Sequence, residues 1–188
     1  MIDQVAEVGY AATTATAVYR RAGVSSRSFY ENFADVHDCF MAAYETAVEM
    51  LSDRLSGAAA GSGAPAGSGT AERSASWSIE GLIRTYLDAL RSEPAVARAF
   101  LVEVYAAGPD AVALRKEVHD RFVRALVALA GQGRPLDDSQ VFALDALVGA
   151  VTFQATMRVI AGGLGDVNAL LTDLTAVALR ICPWLENA

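Results

Sequence analysis

The stretch Thr13–Phe33, TTATAVYRRAGVSSRSFYENF, predicts two short helices joined by a tight turn. A hydroxyl at Thr13 or Thr14 can accept a hydrogen bond from an unpaired N–H of the first helical turn. Gly23 stands where the end of a helix favours a residue with positive φ. Ser25 can cap the second helix. Two short helices with glycine in the turn between them are typical of a helix-turn-helix motif.

The second helix of such a motif can enter the major groove of DNA. Phe29 and Phe33 are four residues apart, so they share a face and are expected to pack inward. Arginine grips guanine edges or phosphates, and hydroxyl groups commonly hold phosphate oxygens. The hydrogen-bonding side chains that we predict to contact DNA from this helix and its cap are Ser25, Ser26, Arg27, Ser28, Tyr30 and Asn32.

Residues 9–33, GYAATTATAVYRRAGVSSRSFYENF, resemble the DNA-binding domain of the TetR family of transcriptional regulators. The resemblance is carried by an ordered series: Gly9-Tyr10, Thr14, Val18, Ala22-Gly23-Val24-Ser25, Phe29-Tyr30 and Phe33. It implies that four residues lie at the DNA: Thr14, Arg27, Ser28 and Tyr30. It also implies that a second set holds the three-helix core: Val18, Ala22, Val24, Phe29 and Phe33.

The same resemblance implies the function and the partners. We expect a homodimer that binds a palindromic operator in double-stranded DNA, and a small-molecule effector that enters the body and releases the DNA. Repressors are more common than activators in the family. The expected fold is all-α, with about nine helices: an N-terminal three-helix helix-turn-helix DNA-binding domain and a C-terminal helical domain for effector binding and dimerisation.

Composition agrees with a helical protein of this size. Hydrophobic residues make up 53% of the 188 residues, which predicts a substantial core. No uncharged apolar run is long enough to span a membrane, and the N-terminus has no secretory pattern. The two cysteines, Cys39 and Cys182, do not form a disulfide framework. We therefore expect a cytoplasmic protein.

Charge supports an alternative function. Residues 1–56 carry four arginines against eight carboxylates, a net charge of −4, whereas phosphate neutralisation supplies much of the affinity of proteins for DNA. Val36 also stands where the family usually has a lysine. A TetR-like helical protein that binds a small molecule, with weak or lost DNA binding, is the alternative.

The chain divides into a head and a body. We predict a DNA-binding domain over residues 1–46, an effector-binding and dimerisation domain over residues 47–188, and a flexible loop over residues 57–72, which are rich in Gly, Ser, Ala and Pro. A long fourth helix from about Val36 to Leu55, capped by Asp35, would link the two domains. Its expected buried stripe is Phe40, Tyr44, Ala47 and Leu51.

Two helices close the chain, over about residues 139–161 and 167–181, and the first is apolar almost all round. Such helices can pair with their copies across a two-fold axis as a four-helix bundle. The alternative is that both simply fill the core of a monomer. The predicted dimerisation residues are Leu144, Val148, Val151, Leu170, Leu174 and Val177.

The body also holds candidates for an effector site. Glu103 is a carboxylate between two valines, which either contacts an effector or pairs with Arg115 or Arg121. Its expected companions along a cavity are Tyr86, Phe100, Tyr105, Phe122, Phe153 and Met157, each of which is alternatively plain core. His37 and His119 have no partners at metal-ligand spacing, and no paired carboxylates or triad indicate catalysis. We expect no metal, no cofactor and no enzymatic activity.

Overall fold

The structure is a computed structural model that describes residues 1–60 and 77–187. These residues form nine α helices and two 3₁₀ turns, with no β strand among them. The helices are α1 Ile2–Val8, α2 Ala15–Ala22, α3 Ser26–Asn32, α4 Val36–Ala59, α5 Ile79–Ser92, α6 Pro94–Leu101, α7 Pro109–Gly131, α8 Asp138–Ile160 and α9 Val167–Ile181, and the 3₁₀ turns are Glu103–Ala106 and Pro183–Asn187. The all-α prediction is confirmed.

Local hydrogen bonds fix the helix-turn-helix as the sequence predicts. The hydroxyl oxygen of Thr14 accepts from the Ala17 N–H at 3.2 Å, and that of Ser25 accepts from the Ser28 N–H at 3.0 Å. Gly23 adopts φ 69° in the left-handed region and donates its N–H to the last turn of α2. These caps set where α2 ends and where α3 begins.

A small apolar cluster holds the motif together. Val18 of α2, Phe29 of α3 and Cys39 of α4 are buried against one another, with Phe33 and Tyr19 packed at the edge. The main core starts at Val5 and Phe40 and continues through the body. Because α4 contributes to both clusters, it is the structural link between head and body.

Helix α4 is one turn longer than the sequence analysis predicted. Asp35 caps it through the Asp38 N–H at 2.9 Å, and it continues to Ala59. Residues 57–59 are therefore helical and do not belong to the predicted loop, whose residues 61–72 lie outside the described part of the chain. The buried position after Tyr44 is Val48 rather than Ala47. The domain boundary after residue 46 lies within this helix and stays a prediction.

The body packs around α5 and α6. Helix α5 lies between α4 and α9, and α6 contacts α1 on one side and α8 on the other. Asp137 caps α8 with a reciprocal pair of hydrogen bonds to Gln140. Helix α6 therefore touches both the head and the last long helices.

Most of the residues that we predicted for the dimer interface are buried in the core of one protomer. Leu144, Val151, Leu170 and Leu174 are buried within one protomer, so they have no surface left for a partner, and Val148 lines an internal cavity. Of the predicted set, only Val177 is exposed. The sequence pattern was ambiguous because α8 is apolar both where it meets the core and where it does not.

The outer side of α8 is unusually apolar. Four of its large side chains are exposed, as are two on α9: Phe142, Phe153, Met157 and Ile160, then Val177 and Ile181. By length and composition, α8 is also the one helix among the described residues that is apolar enough to cross a membrane. Only 17% of its apolar 18-residue stretch is buried. Core helices of soluble proteins meet the same criterion, and one side of α8 is core.

Candidate nucleic-acid interface and effector cavities

Helix α3 presents polar side chains to solvent along one side. Ser26, Arg27, Tyr30 and Asn32 are exposed, whereas Phe29 faces the core. The Tyr30 side chain is 57% exposed, and its ring meets the Phe29 ring edge-on at 5.2 Å between centroids. This packing orients the phenol away from the head. An exposed helix of this size matches what a major groove admits.

Several predicted DNA-contacting side chains also stabilise the helix that carries them. The hydroxyls of Thr14 and Ser25 are engaged as N-caps. The Asn32 amide donates to the Ser28 carbonyl at 2.8 Å. Ser25 and Asn32 therefore shape the two ends of α3, while the side chains with most freedom to meet bases or phosphates are Arg27 and Tyr30.

Two of the three arginines near the motif are already paired. Arg21 contacts Glu7 at 2.5 Å, and Arg27 contacts Glu31 at 2.8 Å, one turn further along α3. Arg20 is exposed and, within residues 1–60 and 77–187, has no ion pair. The pairing lowers the positive potential of a head whose net charge is already negative.

Replacing Glu31 with glutamine is expected to tighten DNA binding about 2- to 10-fold. Arg27 then loses an exposed intrahelical ion pair worth roughly 0.3–0.5 kcal/mol, and a negative charge leaves the surface that faces phosphates. The measurement is the dissociation constant across a salt series, where the slope should steepen by about one counterion. Glu80→Gln is the matched control, because Glu80 and Arg84 form the same kind of pair on α5. Equal behaviour of both variants would count against a role for α3.

Among the described residues of the body, two cavities have Thr152 in their walls. The first, of about 530 Å³, lies between the turn after α6, α7 and α8, and three of its wall residues were predicted: Tyr105, Phe153 and Met157. The second, of about 750 Å³, lies among α4, α5, α7 and α8 and includes the predicted Tyr86 and Phe122. Both volumes are in the usual range for small-molecule sites.

Two of the residues predicted for an effector site do not line either cavity. The Phe100 ring stacks on the Tyr44 ring at 5.1 Å between centroids and is packed inside the core. Glu103 points toward the head. The sequence analysis missed Arg115, which lines the first cavity, and Arg121, which lines the second; it considered them only as partners for Glu103.

Glu103 connects the body to the head through its carboxylate. One oxygen accepts from the Tyr10 N–H at 2.9 Å, and the other contacts Arg98 at 3.1 Å. The predicted pairing with Arg115 or Arg121 is therefore wrong. The physical reason is that the chain turns sharply after Leu101, which brings Glu103 back beside α6. Gly9, next to Tyr10, has φ 83°, a backbone conformation that side chains disfavour and glycine adopts without strain.

The histidines and cysteines have local packing roles. His37 shares a hydrogen bond with the Tyr10 hydroxyl at 3.2 Å, and His119 contacts Asp145 at 2.6 Å. Burial raises the pKa of both thiols, Cys39 and Cys182. In the part of the chain that the structure describes, no group of three His, Cys, Asp or Glu residues is placed to hold a metal ion.

The family model for bacterial regulatory proteins of the tetR family matches residues 2–43, which cover α1 to α3 and the start of α4. Residues 2–43 therefore carry a helix-turn-helix domain of the TetR type. Such domains bind DNA in bacterial transcription regulators, and the fold of this head is of that kind. A comparison with curated proteins gave no match.

A solved structure extends the likeness beyond the head. It is that of the fatty acid degradation regulator FadR from Bacillus halodurans, with a TM-score of 0.68 and 17% sequence identity, over 95% of this chain and 90% of that one. At this identity the likeness concerns the fold alone. The body helices therefore have a known arrangement although their sequence has diverged.

Proposed function

We propose that the protein is a homodimeric repressor that binds a palindromic operator through α3 and leaves it when a small molecule enters the body. The observation that carries this proposal is the conjunction of an exposed recognition helix with a cavity of about 750 Å³ whose walls include α4. Because α4 begins in the head and continues along that cavity, its position connects the two sites.

The proposed dimer uses the apolar surface of the last two long helices. On α8 the exposed residues Phe142, Phe153 and Ile160 recur at helical spacing, so they form one stripe. A stripe of this kind is more apolar than a monomer surface normally carries and is typical of an interface. Two copies joined by a two-fold axis would present two α3 helices to successive major grooves, roughly 34–36 Å apart.

The proposed release depends on different effector affinity in two arrangements of the heads. A molecule that fits the cavity better when α4 has shifted favours that arrangement, and the shifted heads no longer match the operator. The contact of Glu103 with Tyr10 offers a second connection, since it joins the turn after α6 to the end of α1. Val102 and Tyr105, on either side of Glu103, line the first cavity.

The test is fluorescence anisotropy of the protein on DNA from its own upstream region, across a salt series. Binding should be tight and salt-sensitive, and Arg27→Ala and Tyr30→Ala should each weaken it about 5- to 150-fold, because a good base or phosphate contact contributes about 1–3 kcal/mol. Arg91→Ala is the control, since Arg91 is an exposed arginine in an ion pair on α5. Equal losses in all three variants would contradict the assignment of α3.

The second candidate is a helical small-molecule-binding protein with weak or lost DNA binding. The acidic head and the paired states of Arg21 and Arg27 favour it. Binding to upstream DNA no tighter than to random DNA, with a dimer still present by light scattering, would favour this candidate over the repressor.

A further inference from the structure

Arg115 is a buried cation without a carboxylate. Its side chain lies on α7, the residue is only 8% exposed, and within the described residues no acidic group is at ion-pair distance from it. Its Nε is buried and has no hydrogen-bond acceptor there. The guanidinium lies over the Phe100 ring, 5.2 Å from the centroid. A cation–π contact compensates only part of the free-energy cost of burying a charge. An anion bound beside Arg115 would compensate more of it.

Two buried phenol groups near Arg115 also lack a hydrogen-bond partner. The hydroxyls of Tyr44 and Tyr86 are buried, and neither has a hydrogen-bond partner among the described residues. The Tyr86 hydroxyl faces Thr152 without reaching hydrogen-bond geometry. Burial raises the pKa of Tyr44 and raises that of Tyr86 to about 12, although the charge of Arg115 opposes both shifts. Both phenols are therefore protonated at neutral pH and can donate.

Arg115 and Tyr86 each line a cavity, whereas Tyr44 lines neither and lies behind Phe100, on whose ring it stacks. Arg115 lines the first cavity, Tyr86 lines the second, and Thr152 lines both. The wall of the second cavity is otherwise mostly apolar and is built from leucine, isoleucine, valine, alanine and Phe122. Arg115 and Tyr86 therefore offer donors in the two cavities whose walls share Thr152.

We propose that Arg115 and Tyr86 form an anion site beside Thr152, and that the effector is a carboxylic acid whose apolar body occupies the second cavity. This inference rests on the proposed function, because it names the class of molecule that releases the DNA. A carboxylate has two oxygens with about four acceptor positions, enough to accept from both a guanidinium and a phenol hydroxyl. A protonated amine would bring a second positive charge beside Arg115 and could not accept a hydrogen bond from the guanidinium or the phenol.

Arg121 lines the second cavity, whereas Arg115 lines the first, and Arg121 provides the matched control. It lies on α7 like Arg115, but its side chain is 46% exposed and it lies 3.6 Å from Glu117. An exposed arginine with a carboxylate neighbour has no comparable need for an anion. If the effector's acid group instead met Arg121, the two arginines would give opposite results in the same experiment.

Isothermal titration of the full chain with decanoate, decanol and decylamine tests the head group, and octanoate, dodecanoate and benzoate vary the apolar body. We expect at least one carboxylate to bind, and its matched alcohol and amine to bind about 10- to 100-fold more weakly, since hydrogen bonds to charged groups are the stronger kind. Arg115→Gln should cause a similar loss, Arg115→Lys a smaller one, and Arg121→Gln none. Binding of no carboxylate, or loss in Arg121→Gln alone, would overturn the proposal.

A thermal melt separates a binding role of Arg115 from a structural one. Without ligand, Arg115→Met should melt no lower than the unmodified protein, because a buried charge without a partner is replaced by an apolar side chain of similar length. Carboxylate should then raise the melting temperature of the unmodified protein and not that of the variant. A large fall in the melting temperature of the ligand-free variant would mean that Arg115 is structural and would overturn the proposal.

DNA anisotropy distinguishes failure of this inference from failure of the repressor proposal. Carboxylate that binds through Arg115 without releasing DNA would leave the anion site in place and contradict the release mechanism. Decanol or decylamine that releases DNA as well as decanoate would support an effector-controlled repressor and overturn the anion site. Release by carboxylate alone, lost in Arg115→Gln, would support both.

Discussion

Replacing Phe142 with glutamate is expected to dissociate the dimer and to weaken operator binding about 10²- to 10⁴-fold. Phe142 is 71% exposed in the protomer and lies on the apolar stripe of α8, so a carboxylate there would be buried unpaired in the proposed interface. A head in a dissociated subunit binds one half-site. It loses the higher affinity that comes from linking two heads in one dimer. Light scattering gives the mass, and anisotropy gives the affinity for the operator.

Met50→Glu is the matched control for this variant. Met50 is also an exposed apolar side chain, at 52%, but it lies on α4, so the same change of chemistry should leave the dimer intact. Phe142 does not line either cavity, and effector binding to the protomer should therefore persist. A Phe142→Glu protein that remains dimeric would mean that the subunits meet elsewhere.

Replacing Glu103 with alanine is expected to lower the free energy of unfolding by about 2–4 kcal/mol. The substitution leaves the Tyr10 N–H without an acceptor and Arg98 without its carboxylate, and removing one partner of a buried polar pair carries most of the cost. Urea unfolding measures the loss. The same variant should weaken operator binding, because the end of α1 would no longer be held against the body.

Two further variants separate the roles of the carboxylate. Glu103→Gln keeps an oxygen that can accept from Tyr10 and should lose less stability. Arg98→Ala removes the ion pair and leaves the bond between Glu103 and Tyr10 in place, so operator binding should change little. If Arg98→Ala weakened operator binding as much as Glu103→Ala, the ion pair rather than the link to the head would be the important contact.

The head could be predicted closely because its geometry is decided by neighbours in the chain. A hydroxyl three residues before an N–H at Thr14 and Ser25, and a glycine at position 23, fix the ends of two helices without reference to the rest of the molecule. The same local character explains why the sequence predicts Asp35 as a cap. The DNA-contacting role of the exposed side chains stays a prediction.

The body could be predicted as helices but not as surfaces. Periodicity identifies the apolar side of a helix, yet α8 has two apolar sides. Leu144 is buried and Phe142 is exposed, and the sequence of α8 does not distinguish these two positions. The partner of Glu103 was missed for a related reason. Arg98 is five residues away and becomes its neighbour only because the helix stops at Leu101 and a 3₁₀ turn follows.

Because Arg21 and Arg27 are paired with Glu7 and Glu31, the head should attract the phosphates of DNA of arbitrary sequence only weakly. This non-specific attraction lets many regulators slide along a chromosome, and it keeps most of their copies bound to DNA. This protein would instead meet its operator mainly by encounter from free solution. Few copies would be sequestered on random sites, so a small number of molecules in a cell would be enough to occupy one promoter.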